Sequence, residues 1–153
     1  MAKGLPAAAV AAMLLVTPLP ASAAGGSLWH YSFQNGIGEY LTGQWDSPAG
    51  GALALSCKDR GVSIMAQIKG AAPPPDSILR LTVSNRAGSR DHGFQTDRMG
   101  AVEITDIGRA SHFNRLWNDL RTHDIVTLRY ADGRTHVASL AGAMKTLPAR
   151  PCG

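Results

Sequence analysis

Residues 53–68 have the sequence LALSCKDRGVSIMAQI, and this stretch decides the fold class. On both sides of the turn 58–61, every second residue is apolar or cysteine: Leu53, Leu55, Cys57, Val62, Ile64, Ala66 and Ile68. A period of two is typical of strands with one buried face, and the Lys-Asp-Arg-Gly turn suits a tight connection. The stretch therefore predicts an antiparallel β-hairpin.

Similar alternation recurs along the chain. A second hairpin is predicted from strands 125–130 and 135–139, because Asp132-Gly133 is a strong turn signal. Further strands are predicted at 79–83, at 94–96 and at 101–105, and Trp29, Tyr31 and Phe33 share one face of an early strand.

Two segments have helical spacing instead. Apolar residues at i, i+3, i+4 and i+7 predict one amphipathic helix over about 112–121, with Ser111 as its N-cap and the apolar stripe Phe113, Leu116, Trp117 and Leu120. Asn114, Arg115, Asn118 and Asp119 lie off that stripe. A short C-terminal helix is predicted over about 140–147, and Pro148 ends it.

Two connections complete the fold prediction. Segment 71–76 contains three consecutive prolines and is predicted to be a stiff connection, while 85–93 has no apolar period and is predicted to be an exposed loop. The elements do not alternate as in a doubly wound fold. We therefore expect an α+β, mainly β domain with an antiparallel β-sandwich or jelly-roll-like core.

The N-terminus has the features of a cleaved signal peptide over residues 1–23. Lys3 precedes a short apolar run, and Ala21-Ser22-Ala23 is a small-residue cleavage site. Removal of those 23 residues from the 153-residue chain leaves a single globular domain, 24–153. It also removes Lys3, which lowers the formal charge from +4 to +3. We expect a soluble protein that is periplasmic or secreted.

The cysteines Cys57 and Cys152 are the two in the chain. In an exported domain an even number of cysteines usually means a disulfide bond, and only one pairing is possible here. The bond would hold the C-terminus against a strand 95 positions earlier.

Composition and motifs exclude several classes of function. With 44% hydrophobic and 17% charged residues the chain is neither disordered nor fibrous, and a charge of +3 is too small for a nucleic-acid surface. No apolar run reaches the length of a membrane span. The five histidines lack metal-ligand spacing, and nucleophile elbows and phosphate-binding loops are absent. We assign no catalytic residue, metal ligand or cofactor.

The best candidates for a contact surface are five residues. Arginines surround His92 in and near the loop 85–93, and guanidinium groups suit carboxylate or phosphate partners. Trp45 precedes a loop of serine, proline and glycine. The predicted ligand- or partner-binding residues are Trp45, Arg86, Arg90, His92 and Arg98. For His92 and His123, which adjoin Asp91 and Asp124, surface ion pairs are expected.

The C-terminal part of the chain resembles known families. Its elements are Phe113, Trp117 and Leu120, the strand that follows Asp124, the Asp132-Gly133 turn, the segment Ser139-Leu140-Ala141-Gly142-Ala143, and Cys152. Together they are similar to the invasion-associated locus B family and to periplasmic accessory proteins of type VI secretion. The first family has additional central cysteines, which this chain lacks. The resemblance implies a non-enzymatic β-sandwich that works in the periplasm through protein contacts.

We therefore expect an exported binding or accessory protein of the bacterial envelope that contacts another envelope protein or an anionic ligand without catalysis. One alternative is a small secreted hydrolase whose site the fold assembles from His, Asp, Ser or carboxylate groups, drawn from His30, His92, His112, His123, His136, Glu39 and Glu103. The other alternative is a periplasmic metal-binding protein.

Overall fold

The computed structural model describes residues 29–152, so the predicted signal peptide 1–23 lies outside the described residues. The elements are nine strands, one longer helix and one short helix, with a 3₁₀ turn at Ile107–Arg109 before the longer helix. In chain order they are β1 (His30–Gln34), β2 (Ile37–Gly43), β3 (Gly51–Lys58), β4 (Gly61–Ile68), β5 (Ile78–Asn85), β6 (Gly88–Gln95), β7 (Val102–Ile104), α1 (Ser111–Thr122), β8 (Ile125–Arg129), β9 (Thr135–Ser139) and α2 (Ala143–Thr146).

The strands form two antiparallel sheets. A five-stranded sheet has the order β1-β2-β3-β4-β7, and a four-stranded sheet has the order β6-β5-β8-β9. The predicted hairpin of residues 53–68 is β3–β4, with Leu55 opposite Ile64, and the predicted second hairpin is β8–β9, with Thr127 opposite Val137. The α+β, mainly β class is confirmed, in the form of a β-sandwich.

The core lies between the sheets, because the alternating apolar residues of both sheets face one another. One row crosses the larger sheet from Tyr40 through Leu55 and Ile64 to Val102, and all four are buried. The smaller sheet contributes Leu79, Leu81, Val83, Phe94, Val126, Leu128 and Ala138. Burial of these apolar side chains is the main stabilising contribution to the fold.

Helix α1 completes this core with its predicted stripe. Phe113, Leu116, Trp117 and Leu120 are buried, and the Trp117 ring meets the Tyr40 ring edge-on at 5.3 Å between centroids. The Trp117 indole Nε1 donates to the backbone oxygen of Pro148 at 2.8 Å, which attaches the C-terminal segment to the helix. The Cys57–Cys152 disulfide is also present and ties that segment to β3.

The structure corrects four details of the prediction. Segment 85–93, which was predicted to be an exposed loop, instead consists of the end of β5, a turn at 86–87 and most of β6. Strand β2 was not predicted. Ser111 is the first residue of α1, after Ala110 at the N-cap, and α2 spans four residues. The start of β6 lacks the period of a strand in sequence, because its first four residues are all exposed and are polar or glycine.

Within residues 29–152, none of the helices is long and apolar enough to cross a membrane.

Candidate functional site

The structure gathers basic, acidic and imidazole side chains where β6 runs alongside α1. On β6, Arg90 and His92 are two residues apart and so lie on one face of the strand. On α1, His112, Arg115 and Asp119 are spaced i, i+3 and i+7, so they lie on one face of the helix. Together with Asp91 these five residues line a surface pocket of about 450 Å³, which we call the β6–α1 pocket.

Asp119 is the buried centre of this group. Its carboxylate accepts a hydrogen bond from the Nη1 of Arg90 at 2.9 Å through one oxygen, and the Nε2 of His92 lies 2.9 Å from the other oxygen. The side chains of Asp119 and His92 are 6% and 5% exposed, whereas that of Arg90 is 68% exposed. Asp119 therefore holds a buried imidazole and orients an exposed guanidinium.

Neither ring nitrogen of His92 is accessible from the pocket, because one contacts Asp119 and the other is buried. Because a carboxylate oxygen only accepts, the Nε2 atom of His92 carries the hydrogen and donates it to Asp119. The Nδ1 atom is buried and has no hydrogen-bond partner in the described part of the chain. Neither nitrogen is free to take a proton from a molecule in the pocket, so His92 is a positioning residue.

His112, in the first turn of α1, packs against two side chains of β6. Its ring stacks on Phe94 at 4.6 Å and on His92 at 5.4 Å, measured between ring centroids. Burial lowers the pKa of His112 below its ordinary value, and the neighbouring His92 and Arg115 lower it further. A neutral His112 is therefore favoured at neutral pH.

The pocket presents more free positive than free negative charge. Arg115 is exposed and has no ion-pair partner among residues 29–152. Asp91 accepts a hydrogen bond from the Thr82 hydroxyl and lies 3.9 Å from the Arg80 guanidinium, and Asp119 is occupied by Arg90 and His92. Two guanidinium groups with unused donors thus share one pocket whose carboxylates are already engaged.

A comparison with protein families finds one family model that matches most of the chain. The family model described as YfjT matches residues 27–147, which include all nine strands and both helices. The chain belongs to the YfjT family. No curated protein and no solved structure matches it.

The fold of this YfjT-family chain brings together two of the five predicted contact residues. Arg90 and His92 are both in the β6–α1 pocket. Arg86 is in the turn before β6 and Arg98 is in the connection after it, and the eight-residue strand separates them by roughly 25 Å at about 3.4 Å per residue. Trp45 is half-buried in the connection between β2 and β3 of the other sheet and does not line this pocket.

Sequence reasoning missed the helical half of the site. Asp119 lies off the apolar stripe yet is buried, because β6 covers that face of α1. His112, Arg115 and Asp119 have the i, i+3, i+7 spacing that could have shown a second, polar stripe. On β6 the corresponding signal is the spacing of Arg90, His92 and Phe94 at every second position, which puts them on one face of a strand.

The predicted surface ion pairs of the two histidines are corrected as well. His92 bonds to Asp119 in the interior instead of to its neighbour Asp91, because adjacent residues on a strand point to opposite faces. His123 follows α1, and its Nδ1 lies 2.9 Å from the backbone oxygen of Asp119. It therefore caps the helix, and no ion pair with Asp124 forms in the described chain.

The arrangement suits binding better than nucleophilic catalysis. The pocket lining contains no serine, threonine or cysteine that His92 could activate. The described residues also contain no group of three or more His, Cys, Asp or Glu side chains that could hold a metal ion. Two exposed guanidinium groups, one of which is held by the buried Asp119, are suited to a carboxylate or phosphate group.

Proposed function

We propose that this YfjT-family protein is an exported binding module of the bacterial envelope that holds an anionic group in the β6–α1 pocket without catalysis. The observation that carries the proposal is the pair of guanidinium groups, Arg90 and Arg115, that share this pocket. The anion would be a carboxylate or phosphate-like group of a ligand or of another envelope protein.

Preorganisation of Arg90 supports this proposal. A flexible arginine loses side-chain entropy when it binds, but Arg90 is already fixed through Nη1 by the buried carboxylate of Asp119. Its remaining N–H donors are on the exposed part of the side chain. Arg90 can therefore meet an anion at a lower entropic cost than a free surface arginine can.

The charge of the pocket supports it too. Arg115 has no acidic partner to displace within the described residues, so an anion there gains a charge-assisted hydrogen bond without breaking one. His112 can add a further charge, because a bound anion favours its protonated form. The anion would lie against the exposed rim of His112, between the two arginines.

Binding is tested by titrating the purified domain with sulfate in one arm and acetate in the other, at constant ionic strength, and following backbone amide shifts by NMR. We expect saturable shifts confined to β6 and the first turns of α1. The sulfate arm represents phosphate-like groups and the acetate arm represents carboxylates. The stronger arm identifies the class of anion.

Arg115→Gln removes one guanidinium without touching the buried pair, and loss of about 1.4 kcal/mol would weaken binding about tenfold. Arg129→Gln is the matched control, because Arg129 is an exposed arginine of β8 outside the pocket. Equal losses in both variants, or shifts that do not saturate, would contradict the proposal.

Export is the second part of the proposal. It is supported by the N-terminal sequence, by the disulfide, which persists in oxidising compartments, and by the resemblance of the C-terminal part to periplasmic families. The intact mass of protein recovered from the periplasm or medium tests it. We expect the mass of residues 24–153 with one disulfide, whereas full-length protein in the cytoplasm would contradict export.

A further inference from the structure

Strand β1 is the outer edge of the five-stranded sheet and exposes two aromatic rings. It pairs with β2 on one side, and no other described strand lies on its second side. Tyr31 is 51% exposed and Phe33 is 64% exposed. Tyr31 packs against the Tyr40 ring at 4.8 Å, so the exposed rings continue the core-facing side of the sheet.

The unused backbone groups of this edge belong to the same two residues. Asn35 and Gly36 form the two-residue turn to β2, both with positive φ, so Gln34 and Ile37 are the hydrogen-bonded pair next to the turn. Hydrogen-bonded pairs alternate along an antiparallel ladder. His30, Ser32 and Gln34 therefore bond to β2, whereas the N–H and C=O groups of Tyr31 and Phe33 point away from the sheet.

This edge lacks the usual protection against pairing. Natural edge strands are blocked by charges, by proline or by being very short. The opposite edge of the same sheet follows that rule, since β7 has three residues and includes Glu103. β1 has five residues, His-Tyr-Ser-Phe-Gln, and contains no lysine, arginine, aspartate, glutamate or proline.

We propose that β1 is a docking edge for a second copy of this chain. Its order of polar and aromatic residues is symmetric about Ser32. In an antiparallel pair centred on Ser32, Tyr31 of each copy lies opposite Phe33 of the other. Both are residues with outward backbone groups, so four backbone hydrogen bonds form. The two sheets join into one of ten strands about a two-fold axis.

The aromatic rings favour the register centred on Ser32 over shifted registers. Tyr31 and Phe33 of opposite copies face each other on one side of the sheet, and aromatic cross-strand pairs are stabilising. A shift of the register by two residues leaves one of the two rings without a partner and halves the number of bonds. One short strand from each copy is a small interface, so the dimer is weak and depends on concentration. The inference is independent of the β6–α1 pocket.

A cysteine at the symmetry centre tests the register. Ser32 would lie opposite its own copy in a non-hydrogen-bonded pair, with Cα atoms about 4.5 Å apart, which is within disulfide range. Ser32→Cys is therefore expected to form a cross-linked dimer in air, identified by peptide mapping as a 32–32 bond. Gln34→Cys is the matched control, because that exposed residue of the same strand would lie opposite His30 of the second copy. Equal cross-linking of the two variants, or bonds to Cys57 or Cys152 alone, would overturn the proposal.

Sedimentation of the unmodified domain tests the association itself. A rise in mean mass towards the dimer is expected as the concentration approaches about 1 mM, in keeping with a small interface. Phe33→Lys places a charge on the edge and should raise the dissociation constant at least about tenfold. Val137→Lys is the control, because Val137 is 57% exposed on the edge strand β9 of the other sheet. A monomer at every concentration, or equal effects of the two lysines, would also overturn it.

Discussion

The Nε2 atom of His92 lies 2.9 Å from the Oδ2 atom of Asp119, and both side chains are almost completely buried. This contact joins the edge strand β6 to helix α1 across 27 positions of sequence. It also leaves the second carboxylate oxygen free to hold Arg90 at the rim of the pocket. One buried carboxylate thus serves both the packing of the helix and the placement of the proposed anion-binding group.

Asp119→Ala should lower the free energy of unfolding by about 1–3 kcal/mol, because it leaves the buried imidazole of His92 without its hydrogen-bond partner. Asp91→Ala is the control, because Asp91 is next to His92 on β6 but its side chain is 58% exposed, so loss of its ion pair with Arg80 costs less than about 1 kcal/mol. Urea unfolding of both variants measures the difference. Similar midpoints would show that the His92–Asp119 contact is unimportant for stability.

Stability should fall in mildly acidic solution. The folded-state pKa of His112 is below its ordinary value of 6.5, so the unfolded chain binds a proton more readily. The contribution of neutral His112 to the free energy of unfolding is therefore fully present above pH 6.5 and is lost as the pH falls below that value. Burial lowers the pKa of His136 as well, which adds to the same trend.

Thermal unfolding along a pH series measures this effect. The variant His112→Gln should flatten the decline, whereas His30→Gln, which changes an exposed histidine of β1, should leave it unchanged. A decline that is the same in all three proteins would assign the effect to other groups.

Sulfate binding should strengthen as the pH falls from about 8 to about 6, since protonated His112 adds a positive charge beside Arg90 and Arg115. Sulfate keeps its own charge over this range, and Asp91 and Asp119 are the acidic groups that face the same pocket. Titration calorimetry at several pH values measures the trend. His112→Gln should remove the pH dependence but retain binding, and an unchanged slope in that variant would contradict a role for His112.

Local periodicity was sufficient to predict most of the sandwich. The large apolar residues of 53–68 recur at every second position because they fill the space between the two sheets, and the apolar stripe of α1 is buried in the same core. In β3 the smaller residues of the other face are buried as well. The pairing of Cys57 with Cys152 was predictable because only two cysteines exist. These features depend on the spacing of core residues or on the number of cysteines, and both can be read from one sequence.

The site was less predictable because its burial comes from the meeting of two distant elements. β6 begins with four exposed residues, so its alternation starts only at His92. Asp119 looks like a solvent-facing residue of α1 until β6 covers it. Arg90 and His92 could be chosen as basic residues near one another, but Arg86 and Arg98 resembled them in sequence and lie at opposite ends of the strand.

Removal of the disulfide should lower the free energy of unfolding by about 2–5 kcal/mol, because the bond closes a long loop in the unfolded chain. The separation of Cys57 and Cys152 is 95 positions. The double variant Cys57→Ser, Cys152→Ser is measured by chemical unfolding beside the wild type with and without reductant. The variant and the reduced wild type should coincide, and a variant as stable as the oxidised protein would refute the prediction.

Gly51→Ala should destabilise the sandwich at a close contact between the two sheets. A methyl group on Gly51 would lie 2.5 Å from the ring of His136 on β9 and 2.8 Å from the backbone oxygen of Gln67. The ring can turn aside, but the Gln67 oxygen is part of the strand next to β3, so the backbone must shift as well. We expect the free energy of unfolding to fall by about 1–3 kcal/mol, as for an overpacked core.

Gly93→Ala is the control, because the nearest atom to its added methyl is a carbon of Ile78 at the ordinary contact distance of 3.5 Å. Its unfolding midpoint should stay close to that of the wild type, and equal losses in the two variants would show that the contact between β3 and β9 does not limit the packing of the sheets.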